Sequence, residues 1–213
     1  MLRACNPQRP FFVSSKDYLI IWQTEETYKK NFSNRPEVVA IAKDLISRGV
    51  ILCVLCHGSL KYHGCYRRSV RDGENNKLAG WVAQAHCVNC DVYPALIGDF
   101  IMPHKHYNAE VIEKVLATYE NGDNVEKISD CAADASTMRR WINQFKARAV
   151  QAIGQLLSIL LSLCERQISL LKLQEKALLK QLARILCEFA LGKPDSIIGR
   201  ANIILSSQNF GFL

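Results

Sequence analysis

Two pairs of cysteines are the strongest chemical signal in the sequence. Cys53 and Cys56 form the first pair, Cys87 and Cys90 form the second, and thirty residues separate the pairs. Zinc takes four soft ligands in a tetrahedron, and a Cys-x2-Cys turn brings two thiolates on one tight knuckle to the same ion. The pattern therefore predicts a structural Zn²⁺ site with four cysteine ligands, in a zinc ribbon whose two knuckles are joined by a β-hairpin.

The gap between the pairs is longer than the commonest spacing of about fifteen to twenty residues. A polar, turn-rich segment from Arg71 to Lys77 accommodates the excess as the tip of a longer hairpin. Four incidental or redox-active cysteines are the alternative, but a thioredoxin-like site needs only one pair, placed before a helix. Because four thiolates complete the coordination shell, the predicted site is structural and has no open position for catalysis.

The remaining histidines and cysteines near these motifs have simpler interpretations. With four thiols available, we interpret the nearby histidines as surface residues or as neighbours of the ligands: His57, His63 and His86. Four further cysteines are isolated, and the last three of them lie on apolar helical faces: Cys65, Cys131, Cys164 and Cys187. For those three the sequence predicts small buried hydrophobic side chains.

A second motif, at residues 124–145, is typical of a helix-turn-helix. It contains a predicted short helix over 125–132, a turn, and a helix that turns Met138, Trp141 and Ile142 inward. In such a unit the early residues of the last helix enter the major groove of duplex DNA. The predicted DNA-contacting residues of that helix are Ser136, Thr137, Arg139, Arg140 and Asn143. A plain helical bundle with a basic solvated face is the alternative.

The charge distribution favours an anionic partner. Residues 1–134 hold sixteen Lys/Arg and sixteen Asp/Glu, whereas residues 135–213 hold eleven and four, so the net charge of +7 lies in the C-terminal part. Nucleic acid is the expected partner, ahead of an acidic membrane surface. Arg67 and Arg68, on the first strand of the predicted ribbon, could contact phosphates, although alone they would be an ordinary solvated strand face.

The elements around these motifs predict an α+β fold that is mainly α. We divide the chain into an N-terminal segment of unclear role (1–49), the zinc ribbon (50–106), the helix-turn-helix (107–148) and a C-terminal helical association segment (149–213). A strand is predicted within Phe11 to Trp22, and a helix is predicted from Pro36 to a stop at Gly49. A further helix begins after Asn108 and ends at Asn121.

The C-terminal segment has a near-continuous apolar stripe, with neither Gly nor Pro between Gly154 and Gly192. A single rod of that length could not bury its stripe, so the segment is predicted to fold back or to pair with a second copy or a partner protein through residues 150–190. The apolar run 149–164 is shorter than the twenty or so residues that a bilayer requires, so a membrane span is not expected. The first seven residues lack the apolar run of a signal peptide, and we expect a cytoplasmic, nucleoid-associated protein.

Three stretches of the sequence resemble a known family. The stretches CVLCHGSLKYHGCYRR, AHCVNCDVYPALIGDFIMPHKHY and STMRRWINQF are similar to small bacterial zinc-ribbon proteins that carry a helix-turn-helix and a domain of unknown function. Such proteins are associated with insertion sequences and transposases. The resemblance covers residues 50–213 and assigns the metal ligands to the four paired cysteines. Val54 stands where the family commonly has Pro, which leaves the ligands intact.

These observations predict a DNA-binding protein whose fold depends on zinc, acting as an accessory or regulatory component, or a remnant, of a transposase or mobile element. The alternative is a protein-interaction adaptor that uses the apolar C-terminal helix, with zinc purely structural. A subunit of a nuclease or transposase with catalytic residues supplied in trans is a third possibility. We expect no catalytic activity and no small-molecule substrate, because the sequence has no Gly-rich phosphate loop and no room for a carboxylate-triad domain.

Overall fold

The hairpin predicted around residues 71–77 lies at one edge of a five-stranded sheet. The structure is a computed structural model, and it describes residues 14–15, 18–20, 29–53, 55–125, 128, 131–164, 177–188 and 196–206. The strands are β1 (Ser14–Ser15), β2 (Tyr18–Ile20), β3 (Lys61–Arg71), β4 (Lys77–His86) and β5 (Ala95–Ile97). Their order is β1-β2-β5-β4-β3, with β2 and β5 parallel and the other neighbours antiparallel.

The predicted hairpin tip is confirmed between β3 and β4. The Asp72 carboxylate accepts hydrogen bonds from the backbone N–H groups of Glu74 and Asn76, at 3.0 and 2.7 Å. Asn75 adopts a left-handed conformation with φ of 67°. Asn and Asp tolerate such backbone angles and bond their own turn, which explains why this polar run reverses the chain.

The N-terminal segment, whose role the sequence left open, contributes to the sheet and its core. Strand β2 extends the sheet beyond β5, and helix α1 (Arg35–Ser47) follows the predicted Pro36 start. Gly49 ends this helix with φ of 63°, as the sequence predicts. Val38, Ala42 and Leu45 of α1 are buried in the same hydrophobic cluster as the strands. The residues before position 50 therefore complete the core that surrounds the cysteine motifs.

Four helices form the rest of the described fold, which is mixed α+β. They are α2 (Ala109–Glu120), α3 (Ala135–Cys164), α4 (Leu178–Glu188) and α5 (Ile197–Ser206). The predicted start of α2 is confirmed, and Asn108 caps this helix, because its side-chain oxygen accepts the Val111 N–H at 3.0 Å. Of the predicted short helix at 125–132, the structure describes one tight turn, in which the Ile128 N–H donates to the Val125 carbonyl at 3.2 Å. Residues 131 and 132 are not helical, and 126, 127, 129 and 130 lie outside the described residues.

The long apolar stripe is divided between two helices. Helix α3 runs without a break through the predicted boundary at 148/149, and α4 joins α2 and α3 in one hydrophobic cluster. Ile153, Leu182 and Ile185 are all buried in that cluster. The described part of the stripe is therefore buried or half-buried within the chain, while residues 165–176 and the side chains of 160–164 lie outside what the structure describes.

Two glutamates of α2 hold the ends of two other helices. Glu120 accepts hydrogen bonds from the N–H groups of Leu178 and Leu179, at 2.7 and 3.0 Å, at the start of α4. Glu113 accepts the Ile197 N–H at 2.8 Å at the start of α5. The first N–H groups of a helix have no partner within it and carry partial positive charge, so each carboxylate stabilises a helix terminus. Burial raises the pKa of Glu113.

Helix α5 fastens the helical cluster to the loop that follows β5. Asp99 and Arg200 form a buried ion pair at 3.3 Å, with side chains 0 % and 4 % exposed. Arg200 therefore does not belong to the basic surface that the C-terminal charge excess predicted. At Gly199 the backbone approaches Asp99 so closely that an added Cβ would lie 2.1 Å from the Asp99 carbonyl oxygen. Glycine is required here by the close approach of the helix to the loop.

Replacing Gly199 by alanine should destabilise the protein by about 1–3 kcal/mol, the usual cost of overpacking a fixed contact. The obstacle is backbone, which cannot rotate away as a flexible side chain would. Gly154→Ala is the matched control, because this exposed glycine lies inside α3 and nothing lies within 4 Å of its added Cβ. The control should stabilise the protein by about 0.5–1 kcal/mol. Urea unfolding of both variants measures the difference, and equal effects would contradict the close approach of α5 to Asp99.

No helix among the described ranges is long and apolar enough to cross a membrane.

Candidate metal centre and basic surface

The first cysteine pair lies on a tight backbone knuckle that follows α1. The Cys53 N–H donates to the Gly58 carbonyl at 2.9 Å, and the His57 N–H donates to the Cys53 carbonyl at 2.7 Å. His57 adopts a left-handed backbone conformation, with φ of 55°. These bonds fold the chain back on itself, so that the Cys53 and Cys56 side chains share one side of the turn.

The second pair repeats this geometry at the end of β4. The Cys87 N–H donates to the Val92 carbonyl at 2.9 Å, and the Asp91 N–H donates to the Cys87 carbonyl at 2.8 Å. Asp91 has a φ of 51° and occupies the position that His57 has in the first knuckle. The two segments therefore have the same hydrogen-bond pattern, although their sequences share little beyond the cysteines.

The two knuckles place all four thiols in one cluster. The Sγ atoms of Cys53, Cys56, Cys87 and Cys90 lie within 4.8 Å of one another, and Cys56 and Cys87 are 3.5 Å apart. A tetrahedral ion with Zn–S bonds of about 2.3 Å requires sulfur atoms about 3.8 Å apart, which falls in this range. Cys53 and Cys87 are buried, whereas Cys56 is exposed. The four residues predicted as ligands are brought together and could hold a metal ion.

The protonation of these thiols shows why the cluster suits a cation. The backbone N–H of Gly58 lowers the pKa of Cys56 to about 7. The hydrogen bond between Cys90 and the Cys56 sulfur raises the pKa of Cys90 to about 12, and burial raises that of Cys87. Four thiolates at these distances repel one another, so they can ionise together only around a compensating positive charge. A divalent metal ion bound by the four sulfurs would supply that charge.

The neighbouring histidines lie beside the cluster and outside its ligand set. His86 lies 3.1 Å from an Asp91 carboxylate oxygen and stacks on Tyr93 at 4.3 Å between ring centroids. His63 packs edge-on against the same tyrosine ring, at 4.8 Å. His57 is exposed and contributes its backbone N–H to the first knuckle.

The predicted burial of the isolated cysteines is confirmed for one of them and wrong for another. Cys131 is buried against the helical cluster, as predicted. Cys187 is exposed, so the prediction that it is a buried hydrophobic side chain is wrong. The neighbouring residues of α4, Ile185 and Leu186, provide the buried positions of that turn instead. The Cys164 side chain lies outside the described residues.

The outer face of α3 carries the residues predicted to contact DNA. Met138, Trp141 and Ile142 are buried, and Arg139 and Arg140 are exposed, so the predicted orientation of this helix is confirmed. Asn143 is exposed on the same outer face. The preceding helix of a helix-turn-helix is not confirmed, because half of residues 125–132 lie outside the described residues and the described ones form a single turn at 125–128. The structure thus gives the predicted outer face on a helix that is longer than expected.

Two of the predicted DNA-contacting residues, Ser136 and Thr137, form hydrogen bonds within the protein at the start of α3. The Asp134 carboxylate accepts the backbone N–H of Thr137 at 2.8 Å and its hydroxyl at 2.9 Å, and it also accepts the Ser136 hydroxyl. These hydrogen bonds lower the pKa of Asp134 from 3.8 to about 2. Asp134 therefore caps the helix, and Ser136 and Thr137 donate to that cap, a role that was missed from the sequence because this turn was interpreted only as part of a DNA reader.

The Asp134 cap predicts a specific acid sensitivity. Since the folded state lowers the pKa of Asp134 to about 2, its contribution to stability is present above the unfolded-state pKa of about 3.9 and is lost as the pH falls through about 2. Asp134→Ala should lower the melting temperature at pH 6 and flatten its dependence on pH between about 4 and 2. Asp123→Ala, at an exposed aspartate outside any helix, is the control and should follow the parent protein in thermal melts.

Arg67 and Arg68 have different surroundings on neighbouring positions of β3. The Arg68 guanidinium donates to the Met102 carbonyl at 2.6 Å and to the Lys105 carbonyl at 3.5 Å, so it is engaged within the protein. Arg67 is exposed and lies 5.8 Å from the ring centroid of Trp81. The two arginines predicted as one patch therefore have different partners, because successive strand residues point to opposite faces.

Lys105 is a basic residue that was not selected from the sequence. Its ammonium donates to the side-chain oxygen of Gln144 on α3 at 2.7 Å. Burial, together with the charges of Arg140 and Arg148, lowers the pKa of Lys105. The only sequence signal was its position in the Pro103–His106 run, immediately after a break in regular structure.

Comparison with known proteins supplies one match. A family model described as a domain of unknown function, DUF6431, matches residues 53–141. The match begins at the first cysteine of the cluster and ends within α3, so it includes the four thiols and the start of the basic outer face. No curated protein and no solved structure matches the chain significantly.

Proposed function

We propose that the chain is a zinc-stabilised DNA-binding protein, in which Cys53, Cys56, Cys87 and Cys90 hold one Zn²⁺ ion and the outer face of α3 binds duplex DNA. We further propose that it acts as an accessory or regulatory component, or a remnant, of a transposase or another mobile element. The resemblance of the cysteine motifs and of residues 136–145 to insertion-sequence proteins supports this biological setting.

The donor set favours zinc among the metals that proteins bind. Calcium and magnesium prefer oxygen ligands, whereas four thiolates in a tetrahedron are typical of zinc or of an iron–sulfur centre. The paired knuckles agree with the geometry of a structural zinc ribbon, and they leave no coordination position for a substrate. When bound, zinc would supply a cross-link between residues that are more than thirty positions apart in the sequence. The chain's own part is to bring four thiols together beside the sheet, with Cys53 and Cys87 buried and Cys56 exposed.

The observation that carries the proposed DNA binding is the outer face of the first half of α3. Residues 139–148 include four basic residues, and the whole helix contains no Asp or Glu. The inner face of the same turns packs Met138, Trp141 and Phe145 into the core. A cationic face on a helix that is fixed by its buried side suits docking in a groove lined by phosphates.

The arrangement also suggests how the contacts are divided. Arg139 and Arg140 project from one turn of the helix, and Asn143 projects from the next. All three can reach base edges or phosphates, since Arg pairs with guanine and Asn with adenine. Ser136 and Thr137 donate their hydroxyl groups to the Asp134 cap, so we assign them no base contact. Arg148 lies farther along the helix and is better placed for the phosphate backbone.

Replacing both Arg139 and Arg140 by alanine should weaken binding to duplex DNA at low salt by at least tenfold. It should also reduce the slope of log K against log salt by roughly 0.9 for each phosphate that the variant no longer neutralises. Fluorescence anisotropy with a labelled random duplex, at several salt concentrations, measures both quantities.

The control for this experiment removes the same charge elsewhere. Lys30→Ala with Lys61→Ala changes two exposed lysines, one near α1 and one at the start of β3. This variant should bind DNA almost as the parent protein does. Equal affinities for the parent and for the α3 variant would contradict the proposed DNA surface, and equal losses of affinity in both double variants would show attraction by net charge alone.

The adaptor alternative depends on an apolar surface between residues 150 and 190. In the described part of this segment, Leu156, Leu179 and Leu182 are buried in the chain's own helical cluster. Pairing with a second copy would need an exposed apolar surface on the same segment, so it also stays a proposal. Binding of a protein partner that survives high salt and requires residues 150–190 would favour the adaptor over the DNA-binding function.

A further inference from the structure

A row of side chains on α3 meets the loop that leads from the sheet to the helices. Arg140, Gln144 and Arg148 are spaced four residues apart, so they lie above one another on one side of the helix. They line an open depression of about 600 Å³ on α3 together with Ser136, Arg139, Asn143 and Ala147.

Lys105 brings a third cation to this row from a separate element. Its Nζ atom donates to Gln144 Oε1 at 2.7 Å, which places the ammonium at the middle of the row. Lys105 is half-buried, and both Arg140 and Arg148 act on it electrostatically. Three positive charges thus converge from two elements on one side of α3, whose sequence contains no carboxylate.

The loop that carries Lys105 is held in place by the sheet. Arg68 of β3 donates to the Met102 carbonyl at 2.6 Å, and the Arg71 N–H donates to the His106 carbonyl at 2.7 Å. The backbone on both sides of Lys105 is therefore anchored. Like charges brought together on anchored elements repel each other, and an anion that binds between them offsets this repulsion.

We propose that Lys105, Arg140 and Arg148 form a binding site for a phosphate group, with Gln144 orienting the lysine. Guanidinium groups pair with phosphate oxygens through two parallel N–H donors, and the lysine ammonium adds a compact charge between them. The open shape admits a phosphate that belongs to a polymer. This inference rests on the proposed function, and it identifies the DNA backbone as the source of that phosphate.

The first experiment uses inorganic phosphate as the probe. Titration of the full chain, followed by NMR and matched in ionic strength with chloride, should give saturable shifts of residues around 105 and 140–148. Lys105→Met should weaken this binding at least tenfold, and Lys105→Arg should restore most of it. Lys61→Met is the charge control and should bind phosphate as the parent does. Shifts that chloride reproduces, or that survive Lys105→Met, would overturn the site.

The second experiment identifies the source of the phosphate. If the DNA backbone occupies the site, Lys105→Met should lower the affinity for duplex DNA and reduce its salt slope by about 0.9, the value for one neutralised phosphate. If phosphate binding depends on Lys105 and DNA affinity does not, the site binds a free phosphate and the assignment to DNA is overturned. If DNA binds through Arg139 and Arg140 without any saturable phosphate binding, the proposed function stands and the phosphate site is wrong.

Discussion

Cys87→Ser should abolish stoichiometric zinc binding and unfold the part of the sheet that surrounds the two knuckles. Cys87 is fully buried and belongs to the same hydrophobic cluster as the strands, so its thiol cannot be replaced by a ligand from solvent. Structural zinc sites contribute roughly 10–16 kcal/mol to the folding of small peptides, and removing one of four ligands forfeits much of this. That penalty is comparable to the whole stability of a typical domain, about 5–15 kcal/mol.

The measurements are zinc content by elemental analysis and thermal unfolding by circular dichroism. The parent protein should contain one zinc ion per chain, and a chelator should lower its melting temperature to that of Cys87→Ser. Cys187→Ser is the matched control, because this cysteine is exposed on α4 and outside the cluster. It should keep its zinc and its melting temperature. A Cys87→Ser protein that melts like the parent would refute a structural metal site.

The cluster of four cysteines could be predicted from the sequence because the signal is local. Each Cys-x2-Cys pair sets its own turn, and only the meeting of two turns had to be inferred. The hairpin that brings them together was also readable, since its tip from Asp72 to Asn76 consists of residues that favour turns. Helices α1 and α2 could be placed for the same reason, by their first residues and by the Gly49 and Asn121 stops.

The interactions that join distant segments were not predictable in the same way. Nothing near Arg200 in the sequence indicates that its partner is Asp99, 101 positions earlier. Likewise Lys105 became part of the basic surface only because the loop after β5 reaches Gln144. The charge count treated Arg200 as part of a basic tail, whereas burial turns it into a structural ion pair. Composition therefore indicated the sign of the surface charge and could not say which cations form it.

The cysteine cluster and the basic surface are physically connected through the loop between β5 and α2. This loop carries Asp99, which binds α5, and Lys105, which binds α3. One end of the loop leaves the sheet that the cysteine knuckles complete. We therefore expect removal of zinc to weaken DNA binding indirectly, by releasing Lys105 and the docking of the helices, although no cysteine lies on the proposed DNA surface.

Arg200→Met should destabilise the protein by about 3–5 kcal/mol, because it leaves the Asp99 carboxylate buried without its ionic partner. Asp99 is 1 % exposed, so water cannot replace the guanidinium at the carboxylate. The buried pair itself is not expected to contribute this much, since removing both charges from water is costly. The large effect comes from the buried carboxylate that has lost its guanidinium counter-ion, and urea unfolding monitored by tryptophan fluorescence measures it.

A double-mutant cycle distinguishes the unpaired charge from poorer packing. Asp99→Asn combined with Arg200→Met removes both charges, so the double variant should be more stable than Arg200→Met alone by roughly 1–3 kcal/mol. Arg48→Met is the control for an exposed pair: Arg48 lies 2.7 Å from Asp44, with side chains 57 % and 58 % exposed. Breaking that pair should cost no more than about 0.5 kcal/mol. If Arg200→Met were as mild as Arg48→Met, the ion pair would not hold α5 to the sheet. If the double variant were less stable than Arg200→Met, poorer packing rather than an unpaired charge would explain the effect.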